Sequence, residues 1–281
     1  MFFRSILSVD ISLEEEEFQI AHQNAISAQP DAILISLTQS EVDIKIQRER
    51  AELVLSATSK AGIYTIGVPN HPRTGLLRSD LNAIVSNDLK AIFLPDIGEP
   101  QDIRDAAVLL REFELARGFE PGTISLFPII SSARALLRAF EIVSAAPRVG
   151  GLILDIDGYA HDVRARFEQR GSRLAWARGN AVAVARALIK LPIVKGDDLE
   201  LRELANTGFE GVIFEDPKMV TAVNDVFTPT DTEIEEAHAV RRAFTEKDEN
   251  ALVARLGGSF IDEYKARKAE QIIDPIPGQD T

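Results

Sequence analysis

Gly151-Leu152-Ile153-Leu154-Asp155-Ile156 is a run of six residues carrying a single charge, and Asp157-Gly158 follow it directly. Its length suits a strand rather than a helix, and its lack of polar alternation means that both faces are buried. That is the condition of a parallel strand lying between layers of helix. Runs of the same kind recur on either side, at residues 5–9, 32–37, 63–68, 91–95, 124–130, 191–194 and 211–214, which makes eight candidate strands. Between them, apolar residues recur at helical spacing over residues 17–28, 48–60, 103–117, 133–145 and 181–190.

Parallel strands must be joined by crossovers, and right-handed strand-helix-strand crossovers repeated eight times close on themselves. The pattern therefore predicts an α/β protein of the (β/α)8 TIM barrel type, with the barrel over residues 1–228. The breakers agree: Pro30 and Pro147 follow helical segments, Gly118 ends one, and Thr207-Gly208 stops the helix before the last strand. After Thr228 the pattern becomes charged and helical, with helices expected over 231–244 and 249–256 and a third from Gly257-Gly258 to about residue 272. Residues 229–273 thus read as a C-terminal helical lid or oligomerisation segment. Residues 274–281, with Pro275, Pro277 and Gly278, bury too little to offset their ordering entropy and read as a loose tail.

The 281 residues carry a formal net charge of −13, which repels a phosphate backbone, and no basic cluster offsets it, so nucleic acid is excluded as a partner. Cysteine is absent, which removes disulfides, thiolate metal sites and cysteine nucleophiles together. The opening residues run into Glu14 to Glu17 and are too short and acidic for a signal peptide, and no apolar stretch approaches the roughly 20 residues of a membrane span. A cytoplasmic protein is expected.

In a parallel barrel, reacting groups sit just after the strands. Those positions hold Asp10, Thr38, Glu41, Asn70, His71, Asp96, Ser131, Ser132, Asp155, Asp157, Lys195, Asp197, Asp198, Glu215 and Asp216, a set that is acidic and nearly free of cations. Asp96, Asp155 and Asp157 could converge and bind a hard cation. Equally, Asp155 and Asp157 could open a polar loop and cap the next turn, and spacing alone does not separate the two. Leu154-Asp155-Ile156-Asp157-Gly158, with Lys195 to Asp198, also looks like the aspartyl-nucleophile and acidic loops of haloacid-dehalogenase-like phosphatases, but in the wrong order of units. His22, His71, His161 and His238 lack the spacing of a zinc pair, and neither His71 nor His161 has an orienting carboxylate at a fixed offset. Phosphate-cradling glycine loops are absent.

Longer stretches carry a family resemblance. Arg4-Ser5, Pro30 to Ile35, Leu94-Pro95 with Glu99 to Ile103, Leu136 to Val149, Gly208-Phe209-Glu210-Gly211 and Val223 to Thr230 resemble, in order and spacing, the citrate lyase beta-subunit-like branch of the HpcH/HpaI aldolases. Phe260-Ile261-Asp262 is similar to the family's C-terminal lid, whose aspartate enters a neighbouring subunit's site. The resemblance implies a homo-oligomer formed through the C-terminal segment and a catalytic role for Asp262; Arg4, Asn70, Ser131 and Ser132 are the candidate substrate-binding residues.

It also implies Mg²⁺, held by a glutamate after strand five and an aspartate after strand six and used to stabilise an enolate. Here those positions are Ser131 and Gly158. The acidic pair after strand two is Thr38-Gln39, the substrate arginine after strand three is Gly67, and the lysine after Leu94-Pro95 is Asp96. The expectation is a divergent barrel without a cofactor, its standard carbon–carbon lyase activity lost, serving as a binding or assembly partner, including beside an active paralogous subunit. The alternatives are an active lyase on an acyl-CoA thioester or related acid, with Mg²⁺ in a rearranged centre of Asp96, Asp155 and Asp157, and the phosphatase.

Overall fold

The computed structural model describes residues 3–38, 44–165, 174–196, 200–247 and 251–273, which fall into two compact units, Phe3–Val226 and one that begins at Phe227. In the first, β1 (Ser5–Val9), β2 (Ala32–Ser36), β3 (Tyr64–Val68), β4 (Leu89–Leu94), β5 (Ser125–Ile130), β6 (Gly151–Asp155), β7 (Leu191–Lys195) and β8 (Gly211–Phe214) pair in chain order. All are parallel, and β8 returns to β1 through Ser5↔Val212 and Ile6↔Ile213, so the sheet closes as a (β/α)8 barrel and leaves no free edge.

The helices of this unit are α1 (Glu15–Ala28), α2 (Ile44–Ala61), α3 (Leu77–Ile84), α4 (Pro100–Ala116), α5 (Ala133–Leu137), α6 (Ala139–Val143), α7 (Ile156–Asp162), α8 (Ala175–Ala187), α9 (Leu201–Thr207) and α10 (Val220–Phe227). The single helix expected over 133–145 is two, parted at Arg138, whose φ of −108° leaves the helical range. No proline or glycine marks that break. Strand β6 stops at Asp155 rather than Ile156, because Asp155 turns its carboxylate onto the amide of Gly158 and starts α7.

Burial explains the apolar runs. Phe3, Phe93 and Phe127 are fully buried and meet ring to ring, with centroids 6.4 Å apart for Phe3–Phe127 and 5.1 Å for Phe93–Phe127. Each such ring contributes roughly 2–3 kcal/mol by burial. A β-carbon on Gly211 would stand 1.9 Å from the carbonyl oxygen of Phe3, so only glycine lets β8 approach the start of β1. Buried charges are paired: Glu114, wholly inaccessible, accepts from Arg148 at 2.6 Å and from the amides of Gly122 and Ile124.

In the second unit, α11 (Asp231–Thr245) starts with a capping box between Thr230 and Glu233. The helix expected over 249–256 does not form in its described part. Ala254–Leu256 is strand β9, paired with β10 (Ser259–Ile261) across Gly257-Gly258, whose φ values of 54° and 85° make a two-residue hairpin turn. The closing helix, α12 (Glu263–Ile273), packs on α11. Among the described residues no helix is long and apolar enough to cross a membrane. The tail over 274–281 lies outside the described residues.

Candidate functional site at the barrel mouth

A cavity of about 710 Å³ opens at the C-terminal ends of the strands. Its floor is apolar, from Leu34, Val68, Ile129, Ile213 and Phe214. Its rim is polar: Ser8, Ser36 and Thr38 on one side, Asp96, Asp155 and Asp157 on another, then Lys195 and Glu215. Apart from Ser8, which precedes the last residue of β1, each polar residue is the last of a strand or close behind it, which is where the sequence pattern located reacting groups.

The carboxylates have partners. Asp155 accepts the Gly158 amide on Oδ1 at 2.9 Å and the Lys195 ammonium on Oδ2 at 3.1 Å. Asp96 accepts the Ser131 hydroxyl at 2.7 Å and has a φ of 50°, a left-handed conformation that aspartate tolerates better than most residues. Across the mouth, the Ser36 and Thr38 hydroxyls share a hydrogen bond of 2.7 Å. The expectation that Asp155 caps the next turn therefore holds in geometry. Asp157 and Gly158 both lie in α7 rather than in a strand.

Ser131 and Gly158 are neighbours: a β-carbon built on Gly158 stands 2.9 Å from that of Ser131. The two positions to which the resemblance assigns the metal carboxylates thus face each other, and neither bears one. Among the described residues no group of three or more histidine, aspartate or glutamate side chains converges on a metal-sized position. Neither Ser131 nor Gly158 supplies a carboxylate to Mg²⁺, an ion usually held through one or two carboxylates besides water and substrate, while Asp96, Asp155, Asp157 and Glu215 line the same cavity.

Several expected site residues serve other ends. Arg4, expected to bind substrate, precedes β1 at the opposite end of the barrel. It forms a fork with Asp31 at 2.7 and 2.9 Å, and that carboxylate holds its pKa above the usual arginine value. Asn70 is 3% exposed, its side-chain amide donating to the Leu37 carbonyl and to Asp80, so its role is to fix the loop after β3. Ser132 caps α5 through the amide of Ala135. His71 accepts from the Arg73 amide, and its Nε2 stands 3.8 Å from Asp102, beyond hydrogen-bond distance. Asp262 is exposed and caps α12 through the amide of Lys265.

Gly67 also requires correction as the stand-in for a substrate arginine. A β-carbon there would meet Ile84 at 2.6 Å, so the position points outward to α3, and it is Val68 that faces the cavity. Gln39, Glu41, Asp197 and Asp198 lie outside the described residues. The residue that sequence reasoning undervalued is Lys195. It follows the apolar run of β7 directly, and it is the one cation among the described residues lining this cavity.

A closed parallel barrel whose polar groups gather at the strand C-termini defines the class as a (β/α)8 barrel. Asp155, the Gly158 turn and Ser131 occupy the place where barrels of this kind hold their chemistry. The chain belongs to the HpcH/HpaI aldolase/citrate lyase family, whose model matches residues 18–212.

The citrate lyase subunit beta of Haemophilus influenzae is 25% identical over 267 residues, covering 89% of this chain and 90% of that protein. A (3S)-malyl-CoA thioesterase of Cereibacter sphaeroides is 27% identical over 285 residues, covering 96% and 93%. The fold is that of the citrate lyase beta subunit of M. tuberculosis solved with oxaloacetate and magnesium, with a TM-score of 0.59 at 16% identity over 81% of this chain and 98% of that one. The closed barrel and this membership remove the phosphatase reading, since Asp155 ends the sixth of eight barrel strands with both oxygens engaged.

Proposed function

We propose that this family member has given up the Mg²⁺-dependent carbon–carbon lyase chemistry and uses its barrel mouth to bind a ligand rather than to cleave one. On this reading it is a cytoplasmic binding or assembly partner, a homo-oligomer through its C-terminal segment, and a companion of an active paralogous subunit. The observation that carries the reading is the facing pair Ser131 and Gly158, a hydroxyl and a hydrogen where two charged oxygens would be needed. Losing such electrostatic stabilisation costs several kcal/mol per group in the transition state.

The competing reading is an active lyase on an acyl-CoA thioester or related acid, with Mg²⁺ on a rearranged centre. In its favour, Asp96, Asp155 and Asp157 line one cavity. Against it, Lys195 already neutralises Asp155 and Ser131 already occupies Asp96. Calorimetry and thermal unfolding with Mg²⁺ and Mn²⁺ separate the two. We expect neither binding heat nor a shift in Tm, whereas a saturable shift that Asp96→Asn and Asp155→Asn abolish would establish the rearranged centre. Light scattering on the whole chain, against a variant truncated before Thr230, tests assembly through the C-terminal segment.

A further inference from the structure

We propose that the outer face of α4 is an interface with a second copy of this chain, the two α4 helices lying side by side and parallel about a two-fold axis that runs along them. The inference does not depend on what the barrel mouth holds, and its contact is separate from the one proposed through the C-terminal segment.

The spacing of α4 supplies the seam. Gln101, Val108 and Leu115 recur at heptad intervals, so they drift by only about 20° from one to the next and form one stripe along the helix. All three are exposed, Val108 at 68% and Leu115 at 55%, although a helix that only covers its own barrel keeps polar residues outside. The stripe has flanks of opposite sign. On one side Glu112 accepts from Arg78 of α3 at 2.7 and 2.9 Å, and on the other Arg104 borders a groove of about 570 Å³ shared with Phe140 and Glu141 of α6. Asp105 stands one heptad before Glu112 and Arg111 one heptad after Arg104, so each flank keeps its sign along the helix.

Those flanks choose the partner and its orientation. At a net charge of −13 two copies repel, and the repulsion is lowest where opposite flanks meet. A two-fold axis along α4 brings the α6 side of one copy against the α3 side of the other, so Arg104 faces the partner's Asp105 and Arg111 the partner's Glu112. An antiparallel pairing instead sets arginine against arginine and acid against acid. Among the described residues neither Arg104 nor Arg111 has a carboxylate partner within its own chain, Arg104 donating to the Gln101 side chain at 3.1 Å. Asp105 accepts from Gln101 and Glu112 from Arg78, and each carboxylate has lone pairs for a second donor. Since Arg78 already neutralises Glu112, the Arg104 to Asp105 pairs supply most of the selectivity. One helix about 25 Å long per copy covers less than the roughly 800 Å² per partner of a tight dimer, so association in the micromolar range is expected, with both barrel mouths opening on the same side.

The lack of cysteine makes the test direct, since a single introduced cysteine links only to another copy. Gln101→Cys, Val108→Cys and Leu115→Cys in the whole chain, treated with a short bismaleimide at micromolar concentration, should each form a covalent dimer at least about tenfold faster than Leu53→Cys, an exposed position on α2. Arg104→Asp should weaken the dimer by about tenfold in sedimentation equilibrium, and adding Asp105→Arg should restore it. All variants are first matched to the parent in thermal unfolding. Cross-linking by Val108→Cys alone would place the helices antiparallel and overturn the arrangement, as would a double variant as weak as Arg104→Asp. Three seam cysteines reacting at the Leu53→Cys rate would overturn the interface, whether the chain is then a monomer, bound to a different partner or assembled through its C-terminal segment alone.

Discussion

Asp155 and Lys195 are register partners across β6 and β7, and their side chains meet 3.1 Å apart at the mouth of the barrel. The backbone thus fixes both ends of the pair before any side chain is ordered. The aspartate is largely covered, at 15% exposure, while the lysine is 49% exposed.

An ion pair with one solvated partner gains little net stability, so Lys195→Met and Asp155→Asn, alone and combined, should show a coupling free energy below about 1 kcal/mol. Denaturant unfolding of the four proteins gives it directly. A coupling several times larger would mean that the pair holds the barrel together, and its place at the mouth would then need no functional account.

The opposite outcome is expected at Asp80, which is wholly buried and accepts from Arg48, from the Asn70 amide and from the Asn70 side chain. Removing one member of a buried charged network leaves the rest unpaired, so Asp80→Ala should cost about 3–5 kcal/mol. Asn70→Ala should cost about 1–3 kcal/mol, the price of orphaned buried acceptors, without altering any ligand's affinity for the cavity. A change in affinity at unchanged stability would restore Asn70 to the substrate-binding role that its position after β3 suggested.

The second unit has an acid-sensitive start. Glu233 accepts from the Thr230 amide and hydroxyl, and those bonds hold its pKa below the usual glutamate value. A depressed folded value adds stability above the unfolded pKa, and that stability disappears as pH falls through the folded value. Helicity of α11 should therefore weaken below about pH 4, and Glu233→Gln should flatten that dependence. Circular dichroism across acid pH reads both. An acid transition that Glu233→Gln leaves unmoved would place its origin in other carboxylates.

How far the sequence reached depended on which signal each feature leaves. The strands were legible because burial on two faces leaves an unbroken apolar run, as in Gly151 to Leu154, and the barrel followed from their number and order. The break at Arg138 was not, since nothing in the local sequence opposes a continuous helix. The hairpin at Gly257-Gly258 was written in those two glycines, yet a strand of three residues leaves too short a run to compete with helical spacing. Within the site, the ends of strands pointed to the right neighbourhood, including Asp96, Asp155 and Lys195. Facing was lost: whether Gly67 or Val68 looks inward depends on strand phase, and Arg4 and Asn70 were assigned by position without their partners Asp31 and Asp80, 27 and 10 residues further on.

Position 158 offers the most direct trial of how the site diverged. A β-carbon there would stand 2.9 Å from that of Ser131 and 3.3 Å from the Asp155 carboxyl carbon, and Ser131 sits directly behind β5, so α7 must move to admit any side chain. Overpacking of this kind costs about 1–3 kcal/mol, and Gly158→Asp alone should be destabilised by that amount. The double variant Ser131→Glu, Gly158→Asp places two carboxylates on facing positions, where their repulsion adds to the strain until a cation joins them. It should therefore be less stable than the parent in EDTA and recover with Mg²⁺, by about 2.7 kcal/mol once the ion exceeds its Kd a hundredfold. The parent should show no such dependence. If the double variant ignores Mg²⁺, then α7 has settled in a place that the two residues cannot reverse, and the divergence lies in the backbone of this helix as much as in its side chains.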